Sequence, residues 1–287
     1  MTTAQLPYTL LDVFTDIPLT GNQLAVVHDA DGLTDEVMLA FARETKLAET
    51  TFVQLPTADG ADYRNRIFCM AGEMPFAGHP SLGTAVAVAR RRGVKGSVRY
   101  VQQTGAGRQP LDVEISPDRL AASMLQEPPT FGAEVDPGPV LSALGLEPAD
   151  AHPSLPPQLV STGLQHLMMP LATPESIGRI RSKPSAVDAV LAEHAAFGIY
   201  AAWCEPEHGK ARTRMFARSD QILEDPATGS AAGPLCAYLH QRADCAAVDI
   251  VQGVEIGRRS ELHAEIAGDR VRVGGSAVVV AEGLVYL

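Results

Sequence analysis

Glu73-Met-Pro-Phe-Ala-Gly78 and Glu224-Asp-Pro-Ala-Thr-Gly229 spell the same turn twice, 151 positions apart in a chain of 287 residues. Just upstream, Arg66-Ile-Phe68 matches Arg214-Met-Phe216 at an offset of 148, so three residues are inserted between the two matches. Each copy has the same grammar: a strand pattern, an acidic-Pro-x-x-Gly turn, then an Ala-rich helical run. Self-similarity at half the chain length predicts two related lobes.

The flanking sequence supports that division. Tyr8 to Phe14 alternates as a strand, Thr20-Gly21-Asn22 turns the chain, and Leu24 to His28 returns as a hairpin partner. Thr34 is a predicted N-cap, with Asp35 and Glu36 in the positive first turn of a helix running through Phe41 and Ala42. Strands are expected at Thr50 to Val53, Arg64 to Met70, Val98 to Gln102, Leu111 to Ile115 and Leu120 to Leu125, and a helix over Gly78 to Arg92. Gln126 to Pro139 is rich in Pro and Gly and reads as the connection between lobes. The second half then predicts strands at Leu159–Thr162, His166–Met169, Phe197–Cys204, Thr213–Phe216, Val248–Gln252, Leu262–Ile266, Val271–Val273 and Ala277–Ala281. Helical pieces fall within Pro174–Leu191, and a helix covers Gly229–Gln241. Many strands with few helices define an α+β class.

Composition narrows the function classes. The chain is 46% hydrophobic and 20% charged, which excludes wholesale disorder. Its net charge of −11 argues against a nucleic-acid or anionic-membrane partner. Apolar runs such as Ala85–Ala89 are five residues long, and no basic-then-apolar leader is visible, so a soluble, cytoplasmic protein is expected. Cys69, Cys204, Cys236 and Cys245 are scattered, without metal-site spacing, and neither a dinucleotide fingerprint nor a Walker loop is present. No metal and no cofactor are expected.

A glycine at a helix start lets a ligand approach free backbone N–H groups, and the helix dipole adds positive charge there. Two related lobes would aim two such ends into one cleft, a geometry suited to a carboxylate or to a substrate that becomes an enolate. Both turns could equally be ordinary strand-to-helix connections.

The chain resembles the phenazine-biosynthesis PhzF-like family at Glu73-Met-Pro-Phe-Ala-Gly-His-Pro-Ser-Leu-Gly83 and Glu224-Asp-Pro-Ala-Thr-Gly-Ser-Ala-Ala232. Further matches are Asp12-Val-Phe-Thr-Asp16 with Gly21-Asn-Gln-Leu-Ala-Val26, Glu49-Thr-Thr-Phe52, Thr162-Gly163 with His166-Leu167, and Gln252-Gly253 with Gly257-Arg258. The resemblance implies a diaminopimelate-epimerase-like fold: two pseudo-symmetric lobes, each a β-sheet or barrel around a central helix, usually as homodimers. The last strand returns to the first lobe, giving 1–126 with 276–287 and 127–275. It also implies a cofactor-free isomerase that moves a proton, and with it a double bond, in a small unsaturated carboxylic or amino acid of a secondary-metabolite pathway. On this resemblance Glu49 is the catalytic carboxylate, and His79 and Asp225 are its companions. Gly78, Gly229 and Ser230 contact substrate at the two helix starts.

Taken alone, a Glu before a strand is normally a solvated side chain. Asp225 could serve only as a helix N-cap, or it could pair with His79 or orient the substrate. His79 could be a hydrogen-bonded turn residue or an acid–base group. Two departures from the family pattern, Ala48 before Glu49 and Cys69-Met70 after Arg-Ile-Phe, bear on which substrate is taken. The two-thiol epimerase chemistry of the same fold needs a Cys at each helix start, and neither turn has one. A non-catalytic carboxylate-binding or interaction protein on the same fold is the remaining alternative.

Overall fold

The computed structural model describes residues 5–218 and 223–287. The chain forms two compact units, residues 1–124 with 274–287 and residues 125–273. None of the described helices is long and apolar enough to cross a membrane.

In the first unit, β1 (Gln5–Val13) and β2 (Asn22–Val27) make the expected hairpin. α1 (Asp35–Thr45) follows, and the Thr34 hydroxyl accepts from Val37 N at its start. Then come β3 (Glu49–Gln54), β4 (Tyr63–Cys69), the short β5 (Gly72–Met74) and α2 (Gly78–Arg91). β6 (Gly96–Thr104), β7 (Gly107–Ile115) and β8 (Leu120–Leu125) complete the run. The chain's last strand, numbered β16 (Arg270–Tyr286), pairs with both β8 and β1, which closes the barrel β1-β2-β3-β4-β6-β7-β8-β16. α2 packs against β1, β2, β3, β4, β6 and β7, and His79 to Ala89 are all buried. A helix enclosed on every side must be apolar and slim all round, which explains its Gly, Ala and Val content. α1 covers the outside, where Met38 packs on Phe52 and Phe68.

The second unit repeats the plan. Its elements are β9 (Thr130–Glu134), α3 (Pro137–Leu144), β10 (Gln158–Ser161), β11 (Gln165–Pro170), α4 (Pro174–Arg179), α5 (Pro184–Glu193), β12 (Gly198–Glu205), β13 (Lys210–Ala217), α6 (Gly229–Ala243), β14 (Ala247–Gln252) and β15 (Ser260–Ala267). The strands run in the order β15-β14-β13-β12-β11-β10-β9. Buried α6 packs on β10, β11, β14 and β15. On the opposite face α3, α4 and α5 bury Val140, Leu141, Ile177, Val187 and Leu191 against Leu167, Met169 and Ile199.

Two local expectations change. Gln126–Pro139 is not a bare connection, because Thr130–Glu134 pairs with β10 and Pro137 opens α3, capped by Asp136. Its Pro residues precede or open elements rather than mark absence of structure, and Gly132 lies inside the strand. Val271–Val273 and Ala277–Ala281 are one strand, not two. Gly274 reads as a break but is a close approach: a Cβ there would lie 2.6 Å from Ser123 Cβ and 2.8 Å from Ala122 O.

The repeated residues build the same clamp in each unit. Arg66 on β4 holds both oxygens of Glu73, at 2.8 and 2.6 Å, and Arg214 on β13 holds both oxygens of Glu224, at 2.8 and 2.7 Å. Each guanidinium also lies over the Phe two residues on, 5.3 Å from the Phe68 ring centre and 5.1 Å from that of Phe216. The paired fork fixes orientation as well as distance, so it ties the acidic turn to the strand that precedes it. The second clamp is the more deeply set. Arg214 also donates to Ile177 O and Ile180 O, and the Glu224 side chain is 13% exposed against 38% for Glu73.

Removing Arg214 therefore strands a buried carboxylate, whereas removing Arg66 leaves one that water can reach. Arg214→Met should cost roughly 3 kcal/mol and Arg66→Met about 1 kcal/mol in denaturant titrations, and equal losses would refute this account.

Three imidazoles are buried in the fold. Burial lowers His28 to about 4, with Arg91 adding to the effect and Asp29 and Glu282 opposing it, and burial lowers His79 and His166 to about 3. The unfolded chain then binds more protons than the folded one between the depressed values and the ordinary 6.5. Stability should rise with pH through that window and level off above it. The urea midpoint should fall between about pH 8 and pH 5. His28→Gln, which can still reach Thr9, should remove part of the fall, and an unchanged fall would count against the assignment.

Candidate functional site

In the first unit three of the expected site residues gather at the start of α2. Gly78 is its first residue, and the cap position, Ala77, offers no side-chain acceptor, so no side chain caps the first-turn N–H groups. β3 pairs parallel with β2, Leu24 opposite Glu49, which sets Glu49 at the strand's beginning. His79 Nε2 lies 3.3 Å from Glu49 Oε2, with the two side chains 7% and 14% exposed. The contact lacks the alignment of a hydrogen bond for His79 Nε2. On the other side of the ring, Asn22 Nδ2 is 3.2 Å from His79 Nδ1. Burial holds His79 at about 3 even though a backbone hydrogen bond with Gln23 pulls the other way, so the imidazole is neutral near pH 7. A carboxylate at a helix N-terminus beside a neutral ring is an arrangement for accepting a proton.

In the second unit Asp225 pairs backbone to backbone with Met215 and stands three residues before the cap of α6. The cap position is Thr228, not Asp225, and the Thr228 hydroxyl donates to Asp225 Oδ2 at 2.6 Å. That hydroxyl is thereby turned away from capping, and again no side chain caps the first turn, which opens at Gly229. Gln252 fastens the loop: its Nε2 donates to Asp225 O at 2.7 Å and to Thr228 Oγ1 at 3.0 Å. Its Oε1 accepts from Tyr200 Oη at 2.9 Å. Gln126 Nε2 holds Gly229 O at 2.8 Å, and Thr162 Oγ1 holds Gln126 Oε1 at 2.5 Å. Ser230 Oγ lies 3.2 Å from His166 Nε2.

The structure thus brings Glu49, Gly78 and His79 together in one unit, and Asp225, Gly229 and Ser230 together in the other. Asn22, Thr162, His166 and Gln252 all stand in family-like motifs, yet spacing assigned them no role. Their contacts cross 57, 36, 64 and 27 positions, beyond any local pattern. Gln126 gave no signal beyond its place at the head of the Pro- and Gly-rich stretch, and Thr228 none beyond its place inside the repeated turn. Of the departures, Cys69 ends β4 next to Phe68, whose cross-strand partner is Thr50, one register step from Glu49. Met70 lies beyond it in an exposed turn.

The duplication is unequal at one point. Thr50 pairs with Phe68 in the first unit and Ile199 with Phe216 in the second, and those two Phe residues close the repeated Arg-x-Phe. One residue earlier, Glu49 corresponds to Gly198. A Cβ on Gly198 would meet the flexible end of the Met215 side chain, and the second unit carries no carboxylate at the matching position.

The chain matches the family model described as phenazine biosynthesis-like protein over residues 11–283. It is 38% identical, over 98% of its length and 99% of the relative's, to a trans-2,3-dihydro-3-hydroxyanthranilate isomerase of Pseudomonas aeruginosa. Among solved structures it resembles a predicted epimerase from Pseudomonas aeruginosa, at 34% identity and TM-score 0.85, over 98% of this chain and 99% of that one. It also resembles a phenazine biosynthesis protein of the PhzF family from Bacillus anthracis, at 26% identity and TM-score 0.88, over 99% and 100%. The order of motifs, the wrapped helices and the extent of these matches agree, and the chain belongs to the phenazine biosynthesis-like family.

Proposed function

We propose that this protein is an isomerase that shifts a proton and a double bond in a small unsaturated carboxylic acid, with Glu49 as the proton carrier. The isomerase class rests on the relatives, and the first substrate to try is trans-2,3-dihydro-3-hydroxyanthranilate, on which the 38% identical relative is named. One observation carries the mechanism: a carboxylate 3.3 Å from a buried neutral imidazole, at a helix start that no side chain caps.

The chemistry follows from those groups. The Glu49 carboxylate takes a proton from a substrate carbon, and the electron pair left behind spreads through the conjugated system to the carboxylate. The glutamic acid so formed returns the proton to another carbon of that system. Substrate and product are isomers, so no electron or group carrier enters the balance. The helix N-terminus favours the negative charge that develops between the two steps. His79, neutral, serves as a fixed polar neighbour of the carboxyl rather than as a cation. In this reading a single carboxyl, that of Glu49, works on both carbons; the position that matches it in the second unit is Gly198. Gly78, Gly229 and Ser230 keep the substrate-contact role, and Asp225 the role of catalytic companion to Glu49, that the family resemblance implies. Homodimer assembly and action in the cytoplasm remain part of the same reading.

Glu49→Gln retains shape and hydrogen-bonding capacity but not basicity. It should slow turnover by about 10²- to 10⁴-fold with substrate affinity nearly unchanged, in steady-state assays on the folded variant. Turnover near wild type would reject Glu49 as the proton carrier. Loss of binding with no turnover in the wild type either would favour the non-catalytic alternative.

A further inference from the structure

His166 on β11 is fully buried and unused in the mechanism above. Its ring stands edge-on to Phe197, centroids 5.6 Å apart, which fixes its plane. One nitrogen, Nε2, is 3.2 Å from Ser230 Oγ in the first turn of α6. The other, Nδ1, is buried and makes no hydrogen bond among the described residues. Burial keeps the ring uncharged, so a single N–H must be placed on one nitrogen or the other. On Nδ1 that N–H would be orphaned in the interior, a rare condition, whereas an unshared lone pair there is better tolerated. The proton therefore belongs on Nε2, where it donates to Ser230 Oγ. Ser230 accepts through its oxygen, and its own hydrogen points elsewhere. Ser230 is only partly buried, and among the described residues its hydroxyl has no other partner.

We propose that His166 is a positioning residue that commits the Ser230 hydroxyl to donating, and so makes this helix start selective for a ligand that presents an acceptor oxygen such as a carboxylate. The selectivity rests on the isomerase reading; the tautomer does not. A ring with the opposite tautomer would take the Ser230 hydrogen for itself and leave only an acceptor for the ligand.

Two measurements test this separately. In the wild-type protein, long-range ¹H–¹⁵N correlation of the imidazoles should show His166 as the Nε2–H form, unchanged between about pH 5 and pH 8. The Nδ1–H form, or titration within that range, would overturn the proposal whatever the enzyme turns over. With trans-2,3-dihydro-3-hydroxyanthranilate as substrate, His166→Leu should raise KM about tenfold, the worth of one hydrogen bond, and hold kcat within about twofold. His166→Gln, which returns an N–H at similar reach, should recover most of the loss, and His166→Leu should add nothing once Ser230→Ala is present. Additive losses in the double variant, or a folded His166→Gln as poor as His166→Leu, would also overturn it. Absence of wild-type turnover on this substrate would count against the isomerase reading and leave the tautomer result to decide the positioning role.

Discussion

The paired forks Arg66–Glu73 and Arg214–Glu224 are the constraint on which the course of each unit's turn and helix start depends. A turn between a strand and an enclosed helix has little apolar surface of its own to fix its course. A bidentate guanidinium supplies two directed bonds from a neighbouring strand, and its stacking on Phe68 or Phe216 locks the donor itself. With the Glu held, the Pro and Gly that follow can set the helix start in one place. In the first unit β5 adds a backbone ladder, Ile67 opposite Met74, and in the second a single bridge joins Met215 to Asp225.

The helix start so placed has an unusual electrostatic character. α2 and α6 are buried along their length, yet their cap positions provide no side-chain acceptor to the first turn. Ala77 lacks the group, and Thr228 spends its hydroxyl on Asp225. Nearby imidazoles do not add positive charge, because burial strips their protons. What these groups supply is fixed dipole rather than imidazolium charge.

Duplication gave the two units the same frame, and divergence made them unequal. Glu49 and Gly198 occupy corresponding places at the heads of β3 and β12, and a Cβ in the second would meet the flexible end of Met215. At the helix starts the second residue is His79 in one copy and Ser230 in the other. One unit therefore sets a carboxylate and an imidazole at its helix start, and the other sets the Ser230 hydroxyl there with Asp225 bound to the cap residue Thr228. That inequality distinguishes this chain from a two-base epimerase design, in which both helix starts must carry a reactive group.

Much of this was determined by the sequence itself, through rules that act over a few residues. Strand alternation, the Thr34 cap and the repeated acidic-Pro-x-x-Gly turn state the elements and the two-fold plan, because period and turn chemistry are local properties. The motif order also singled out Glu49, His79 and Asp225 as a group worth locating. Tertiary structure alone decided the rest. Gln126–Pro139 reads as a bare linker because its Pro and Gly dominate the local pattern, and only pairing with β10 makes Thr130–Glu134 a strand. Gly274 looks like a break until β8 comes within van der Waals range of it. The 3.3 Å approach of His79 to Glu49, the loss of charge on His79 and His166, and the one-step asymmetry at Gly198 all arise from register and burial. Those are set by strands that meet across tens of residues, and no spacing along the chain records them.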